Sequence, residues 1–187
     1  SLLKQLYKAT YDLTAMANTD GLTGVPNRRL LEDRIEQAIK NAKRSMQTVA
    51  ILFLDLDAFK VVNDSYGHAI GDLLLKSVAE RLQELMRAED TIARIGGDEF
   101  VVLLPRQDNE SEVVFIAERI IEAMNKPFDV NDLRLNIGVS IGVALYPAHA
   151  DDLSKLIRYA DSAMYCAKQR GGNCYAIYNI ESMKETA

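Results

Sequence analysis

Two neighbouring acids, Asp98 and Glu99, follow two glycines in the stretch ARIGGDEFVVLLP (93–105) and stand immediately before an apolar run. Another acid, Asp55, closes a second apolar run in TVAILFLDLD (48–57). Carboxylates at the mouth of a core cost free energy unless something positive meets them. Neighbouring strands would bring Asp55 and Asp98 to one sheet edge, where they repel. A divalent cation relieves that repulsion, and oxygen ligands favour magnesium or calcium. A magnesium ion with open positions then takes substrate phosphates. A turn without side chains, Gly96 and Gly97, lets a bulky ligand approach the backbone. The same spacing also suits an ordinary hairpin turn.

The residues after Asp55 add a second group. Asp57 is placed to cap a helix that opens with Ala58, Phe59 and Lys60. The free N–H groups of that helix end, with Lys60 beside them, suit a phosphate. Asn63, His68 and Asp72 follow in the glycine-punctuated stretch NDSYGHAIGD (63–72). Asn and Asp side chains together can read a guanine edge, the carboxylate accepting from N1–H and the exocyclic amine. Taken singly, Asn63 reads as a turn residue, His68 as a loop or capping histidine, Asp72 as a cap and Phe59 as core.

The elements that must position these residues follow from periodicity. Leu2 to Ala17 has helical spacing and is cut off by NTDGLTGVPNRR (18–29), so it is expected to stand apart from the domain as a connector. Helices are predicted from about Arg28 to Arg44, from Leu73 to Arg87, from Glu112 to Asn125, and from Leu153 to about Gly171. The run 48–57 reads as a strand covered on both faces. Thr91–Ile95 and Glu99–Leu104 read as a hairpin. Leu133–Tyr146 alternates and is expected to be one long strand with one buried face, and Cys174–Tyr178 to be a last short strand. The order β-α-β-β-α-β-α-β with an antiparallel hairpin implies an α+β sandwich of ferredoxin-like type.

Composition narrows the class. The chain has 187 residues, is 48% hydrophobic and carries a formal net charge of -5, which suits one domain with a full core. No basic block points to nucleic acid, no apolar run is long enough to span a bilayer, and no secretory pattern is visible. Cys166 and Cys174 lack metal or redox spacing and read as reduced thiols of a cytoplasmic protein.

Five motifs in register carry a resemblance: DGLTGVPNRR (20–29), LDLDAFKVVNDSYGHAIGDLLL (54–75), ARIGGDEF (93–100), SIGVALYP (140–147) and ADSAMYCAK (160–168). Together they resemble the GGDEF family, the bacterial diguanylate cyclases, over roughly Asn18 to Tyr178. The resemblance implies a palm-like fold similar to nucleotide cyclases, with residues 1–17 as connector helix, 18–178 as the cyclase domain and 179–187 as a C-terminal linker. It implies condensation of two GTP into cyclic di-GMP, with two pyrophosphates released, across the interface of a homodimer.

By position, the resemblance assigns the metal, Mg2+ with Mn2+ as the alternative, to Asp55, the carbonyl of Leu56, Asp98 and Glu99. Asp98 ranks ahead of Glu99 as the acid that activates the hydroxyl, and Lys60 is the transition-state stabiliser. GTP falls to Phe59, Lys60, Asn63, His68, Asp72 and Lys168, with Lys168 on the outer phosphates. RAED (87–90) resembles the family's inhibitory RxxD site for product, with Arg87 and Asp90 joined by Arg119, matched to an arginine from a second domain. One departure is clear: KQRGGN (168–173) has Gly172 where the family commonly has a basic residue, so a phosphate contact is missing or Arg170 replaces it.

Family members carry sensory domains upstream, and the end YNIESMKETA (178–187) resembles a linker to an EAL phosphodiesterase domain, so a larger, membrane-anchored or soluble parent is expected. The rival readings are a non-catalytic GTP receptor, a dimerisation module and a polymerase-like palm. Retention of Asp55, Asp98 and Glu99 favours catalysis over the receptor, and the acidic balance weighs against the palm.

Overall fold

The structure, a computed structural model, describes residues 1–180. Its centre is a five-stranded sheet of order β2-β3-β1-β6-β7: β1 (Thr48–Leu56), β2 (Thr91–Gly96), β3 (Glu99–Gln107), β6 (Val139–Tyr146) and β7 (Tyr175–Ile177). All neighbours pair antiparallel except β6 and β7. A small hairpin, β4 (Phe128–Val130) with β5 (Leu133–Leu135), lies outside this sheet. The helices are α1 (Leu2–Asn18), α2 (Arg28–Ser45), α3 (Phe59–Tyr66), α4 (His68–Leu85), α5 (Glu110–Met124) and α6 (Leu153–Gln169). The α+β sandwich expected from the sequence is therefore present.

Alternation along β1 explains the two layers. Ala50, Leu52, Leu54 and Leu56 join one cluster with Leu74, Val78 and Leu82 of α4 and Val113, Ala117 and Ile120 of α5. Val49, Ile51 and Phe53 join another with Leu31, Ile35 and Ile39 of α2 and Leu156 and Ala160 of α6. Successive strand side chains point to opposite faces, so a strand covered by helices on both sides needs apolar residues at every position.

Four expectations need correction. The alternating stretch 133–146 is two strands, broken at Asn136–Gly138. Both faces of β6 are buried, not one: the small residues Ser140, Gly142 and Ala144 share the face on which α6 lies, and a Cβ at Gly142 would collide with Ala160 O and Met164 N. Helix α4 starts at His68, earlier than the apolar spacing suggested, and the helix expected after Asp57 is α3, which precedes it. Asp57 does not cap α3. That place belongs to Ala58 in the left-handed region, φ +57°, without a side-chain cap.

Helix α1 buries no residue, and Leu2, Leu6, Leu13 and Met16 are exposed. It is tied to the domain only at its end, where Asn27 Nδ2 donates to Ala17 O at 2.9 Å while Asn27 Oδ1 caps α2 through Leu30 N. Among the described residues, no helix is long and apolar enough to cross a membrane. The expected linker 179–187 lies mostly outside the described residues.

Candidate active site

Asp55 is the next-to-last residue of β1. It stands opposite Glu99 of β3 on one side and Ser140 of β6 on the other. Directly opposed residues of an antiparallel pair point to the same face, so these three share the face covered by α2 and α6. The β2–β3 turn brings Asp98 to the same end: Leu56 N donates to Asp98 O at 3.3 Å. Gly97 allows this turn with φ +46°, a value that any other residue adopts less readily.

Electrostatics mark the spot. Burial pushes the Asp55 carboxyl above the ordinary carboxylate range; Lys168 opposes the shift and the Asp98 charge adds to it. Burial also raises Glu99, with Asp55, Asp161 and Asp98 adding negative charge and Arg28 opposing. Lys168, in the last turn of α6, places its Nζ 2.7 Å from Asp55 Oδ1 and 3.8 Å from Asp57 Oδ1.

Among the described residues, no three His, Cys, Asp or Glu side chains form a closed metal cage. The candidate donors are the carboxyls of Asp55, Asp98 and Glu99 and the strand-end carbonyl of Leu56, all hard oxygens. Magnesium is commonly held by one or two carboxylates and completed by phosphates and water. The ammonium already seated on Asp55 shows that the site accepts a cation, so the residues fit the ion.

Helices α3 and α4 follow β1 directly and carry the second group. Phe59 is buried, so its side chain serves the core and its backbone opens α3. Lys60 is exposed, as are His68 and Asp72, while Asn63 is half-buried. His68 and Asp72 lie one turn apart on α4, hence on one side of it. Gly71 packs against the Asn63 amide oxygen and the Phe59 ring, and a Cβ there would displace both. That glycine lets the Asn63 side chain pack against α4 at the α3–α4 corner.

Sequence reasoning missed one brace and one acid. Arg94 Nη1 meets Asp20 Oδ1 at 2.9 Å, Arg94 Nε donates to Gly97 O at 2.9 Å, and Arg94 N donates to Pro26 O at 3.0 Å. This straps the 20–26 loop to the turn that carries Asp98. Burial works against the Asp20 charge, but hydrogen bonds from Thr23 and Arg94 outweigh it and hold the carboxyl below its ordinary range. Both residues lie inside quoted motifs, yet nothing local shows that they touch. Asp161 is the other omission; burial raises its carboxyl while Arg28 opposes.

A separate cleft of about 400 Å³ lies between α4 and α5 and is lined by Arg87, Asp90 and Arg119, with Phe115 and Asn109. One chain supplies both arginines. Asp90 Oδ2 accepts from the backbone N–H of Arg87 at 2.9 Å, and Asp90 Oδ1 is buried without a hydrogen-bond partner among the described residues. Burial raises the Asp90 carboxyl, with the backbone N–H of Arg87 opposing and Glu89 adding negative charge.

Comparison with known proteins is decided by one match: the family model "Diguanylate cyclase, GGDEF domain" covers residues 17–174. The chain belongs to the GGDEF diguanylate cyclase family. This GGDEF domain is 45% identical over 177 residues to the bifunctional diguanylate cyclase/cyclic di-GMP phosphodiesterase MucR of Pseudomonas aeruginosa, covering 95% of the chain and 26% of MucR. It is 41% identical over 159 residues to the diguanylate cyclase TpbB of the same species, covering 84% of the chain and 37% of TpbB. The chain thus spans well under half the length of these curated relatives. Among solved structures, the GGDEF domain of TpbB superposes with a TM-score of 0.87 at 37% identity, covering 90% of this chain and 98% of that one. The coiled coil and GGDEF domain of DgcB from Caulobacter crescentus, in complex with c-di-GMP, gives 0.84 at 28%, covering 94% and 93%. The GGDEF fold and the family assignment agree with the expectation from the five motifs.

Proposed function

We propose that this chain is a diguanylate cyclase domain that condenses two GTP into cyclic di-GMP, releasing two pyrophosphates, when two copies face each other. The observation that carries this reading is the meeting of Asp55, the Asp98 turn and the Lys168 ammonium at one strand end. In each half-reaction a 3′-hydroxyl attacks the α-phosphorus of the opposing GTP. A new P–O bond forms, the bond to pyrophosphate breaks, and the hydroxyl proton is taken by Asp98 or Glu99. Burial raises Glu99 toward neutrality, which suits a group that gains a proton.

The residues divide the remaining tasks. Asp55, the Leu56 carbonyl, Asp98 and Glu99 would hold Mg2+, or Mn2+, which when bound neutralises phosphate charge. Lys168 moves from Asp55 to the outer phosphates when nucleotide enters. Lys60, exposed on the first turn of α3, faces the charge that grows in the transition state. Asn63, His68 and Asp72 bind the guanosine, with the Asp72 carboxylate selecting guanine over adenine, whose edge presents the reverse donor pattern. The Arg87, Asp90 and Arg119 cleft takes the product and limits synthesis, because arginine stacks on guanine and forks onto phosphate. The domain works in the cytoplasm within a larger protein that supplies a sensory domain before it and an EAL domain after it.

The test is incubation of the purified domain with GTP and magnesium, followed by assays for pyrophosphate and cyclic dinucleotide, with Asp98→Ala as control. Turnover that Asp98→Ala abolishes is expected. Binding without turnover would replace the enzyme by a GTP receptor, and no GTP binding would remove both readings.

A further inference from the structure

Asp57 has no part in the roles above, yet its carboxylate is fully used. Oδ1 accepts from Ser140 Oγ at 2.6 Å, and Oδ2 accepts from the backbone N–H of Asn173 at 2.7 Å. Its own N–H donates to Gly138 O at 2.9 Å. The side chain therefore joins the ends of β1 and β6 to the turn that closes α6. That turn is folded down on the carboxylate. Gly172 has φ +75°, and a Cβ there would lie 2.9 Å from Asp57 Cγ; a Cβ at Gly138 would lie 3.0 Å from Asp57 Oδ2 and 3.1 Å from Asn173 Oδ1. Asn173 itself is left-handed, φ +51°. The turn begins three residues after Lys168, whose Nζ reaches Asp55 and lies 3.8 Å from Asp57 Oδ1.

We propose that Asp57 is a positioning residue: by clipping the Gly171–Asn173 turn to the sheet it fixes the last turn of α6 and so aims the Lys168 ammonium at the phosphate-bearing end of the site. The inference rests on the cyclase reading for Lys168's target. Two charge-assisted hydrogen bonds to the Asp57 carboxylate, from Ser140 Oγ and from Asn173 N, tie the turn that follows α6 to the sheet. The clip also accounts for Gly172, since the space a side chain would need is occupied by the Asp57 carboxyl.

Two readouts test this. Amide hydrogen exchange at residues 171–173 needs no nucleotide; Asp57→Ala should speed it about tenfold or more, the effect of losing a charged acceptor. Kinetically, Asp57→Ala should raise the KM for GTP roughly tenfold with kcat changed much less, as expected for lost uniform binding. In a Lys168→Ala background the same change should add less than about twofold, because the two act as one unit. Asp57→Asn keeps an oxygen for Asn173 N–H and an amide to donate to Ser140 Oγ, so it should restore slow exchange and most of the KM. Should Asp57→Ala not fold, Ser140→Ala should move both readouts in the same direction by less. Unchanged exchange overturns the clip. Faster exchange with a KM effect that is absent, or undiminished without Lys168, overturns the positioning role. A wild-type chain without turnover would sink the cyclase reading and leave the exchange result standing.

Discussion

Lys168 Nζ lies 2.7 Å from Asp55 Oδ1, so helix α6 brings a positive charge to the place proposed for the divalent ion. Ammonium and ion compete for one carboxyl. Lys168→Ala should therefore strengthen Mn2+ binding in the absence of nucleotide, by roughly fivefold, while weakening GTP. Titration by electron paramagnetic resonance, beside nucleotide binding by calorimetry, checks the opposite signs. A loss of both affinities would show that Lys168 does not vacate Asp55 for a metal.

The strap from Arg94 to Asp20 and Gly97 makes a second prediction. The two side chains are mostly buried, at 14% and 17% exposure, so Arg94→Ala should cost about 2–3 kcal/mol of stability in urea melts. It should also lower kcat on the order of 100-fold, because the Asp98 turn loses its anchor and small displacements of catalytic groups are costly. Asp20→Ala removes the same ion pair but leaves the Arg94–Gly97 bond, so its kcat should fall less.

Asp90 predicts a pH effect. Its raised carboxyl means that the folded chain holds a proton which the unfolded chain, near the ordinary 3.8, has already released. The associated stability is present below that value and is lost as pH rises through the folded value. Asp90→Asn removes the loss, and its amide oxygen still accepts from Arg87 N. The variant should melt above wild type at about pH 7 and converge with it by about pH 3.

The product feedback proposed for the same cleft is tested by its arginines. Arg87→Ala and Arg119→Ala should each keep GTP turnover at low product and lose inhibition by added cyclic di-GMP, read as an inhibition constant raised about tenfold or more for a lost charged contact. Unchanged inhibition in both would remove the product site from this cleft.

Close helix–sheet approach gives the last prediction. Gly142 lies under Ala160 and Met164 of α6, so Gly142→Ala should destabilise the domain by about 2–3 kcal/mol through overpacking, seen as a lower urea midpoint. Because α6 carries Lys168, the KM for GTP should rise with it.

Legibility in the sequence followed locality. The apolar run of β1, the Gly96–Gly97 hairpin and the spacing of α2, α5 and α6 are local signals, and they gave those elements to within a few residues. Family motifs supplied Asn63, His68 and Asp72 as a group. Misreadings occurred where distant contacts decide. Gly138 breaks the alternating stretch because Asp57 and Asn173 occupy its surroundings, 81 and 35 residues away in sequence by subtraction. Asp57 looked like a cap because it precedes a helix, but its carboxylate is taken by Ser140 and Asn173. The Asp20–Arg94 pair spans 74 residues, and no local pattern encodes such a bond. The small residues Ser140, Gly142 and Ala144 of β6 suggested an exposed face, but α6 lies on that face.

The raised carboxyls of Asp55 and Glu99 carry an evolutionary consequence. Burial works against their ionised forms, whereas the layers behind them are built from apolar side chains, aliphatic and aromatic. Substituting them would relieve the scaffold rather than unfold it, so drift runs toward a stable domain without chemistry. On the proposed function, the charged positions are held by the chemistry they carry and not by the fold.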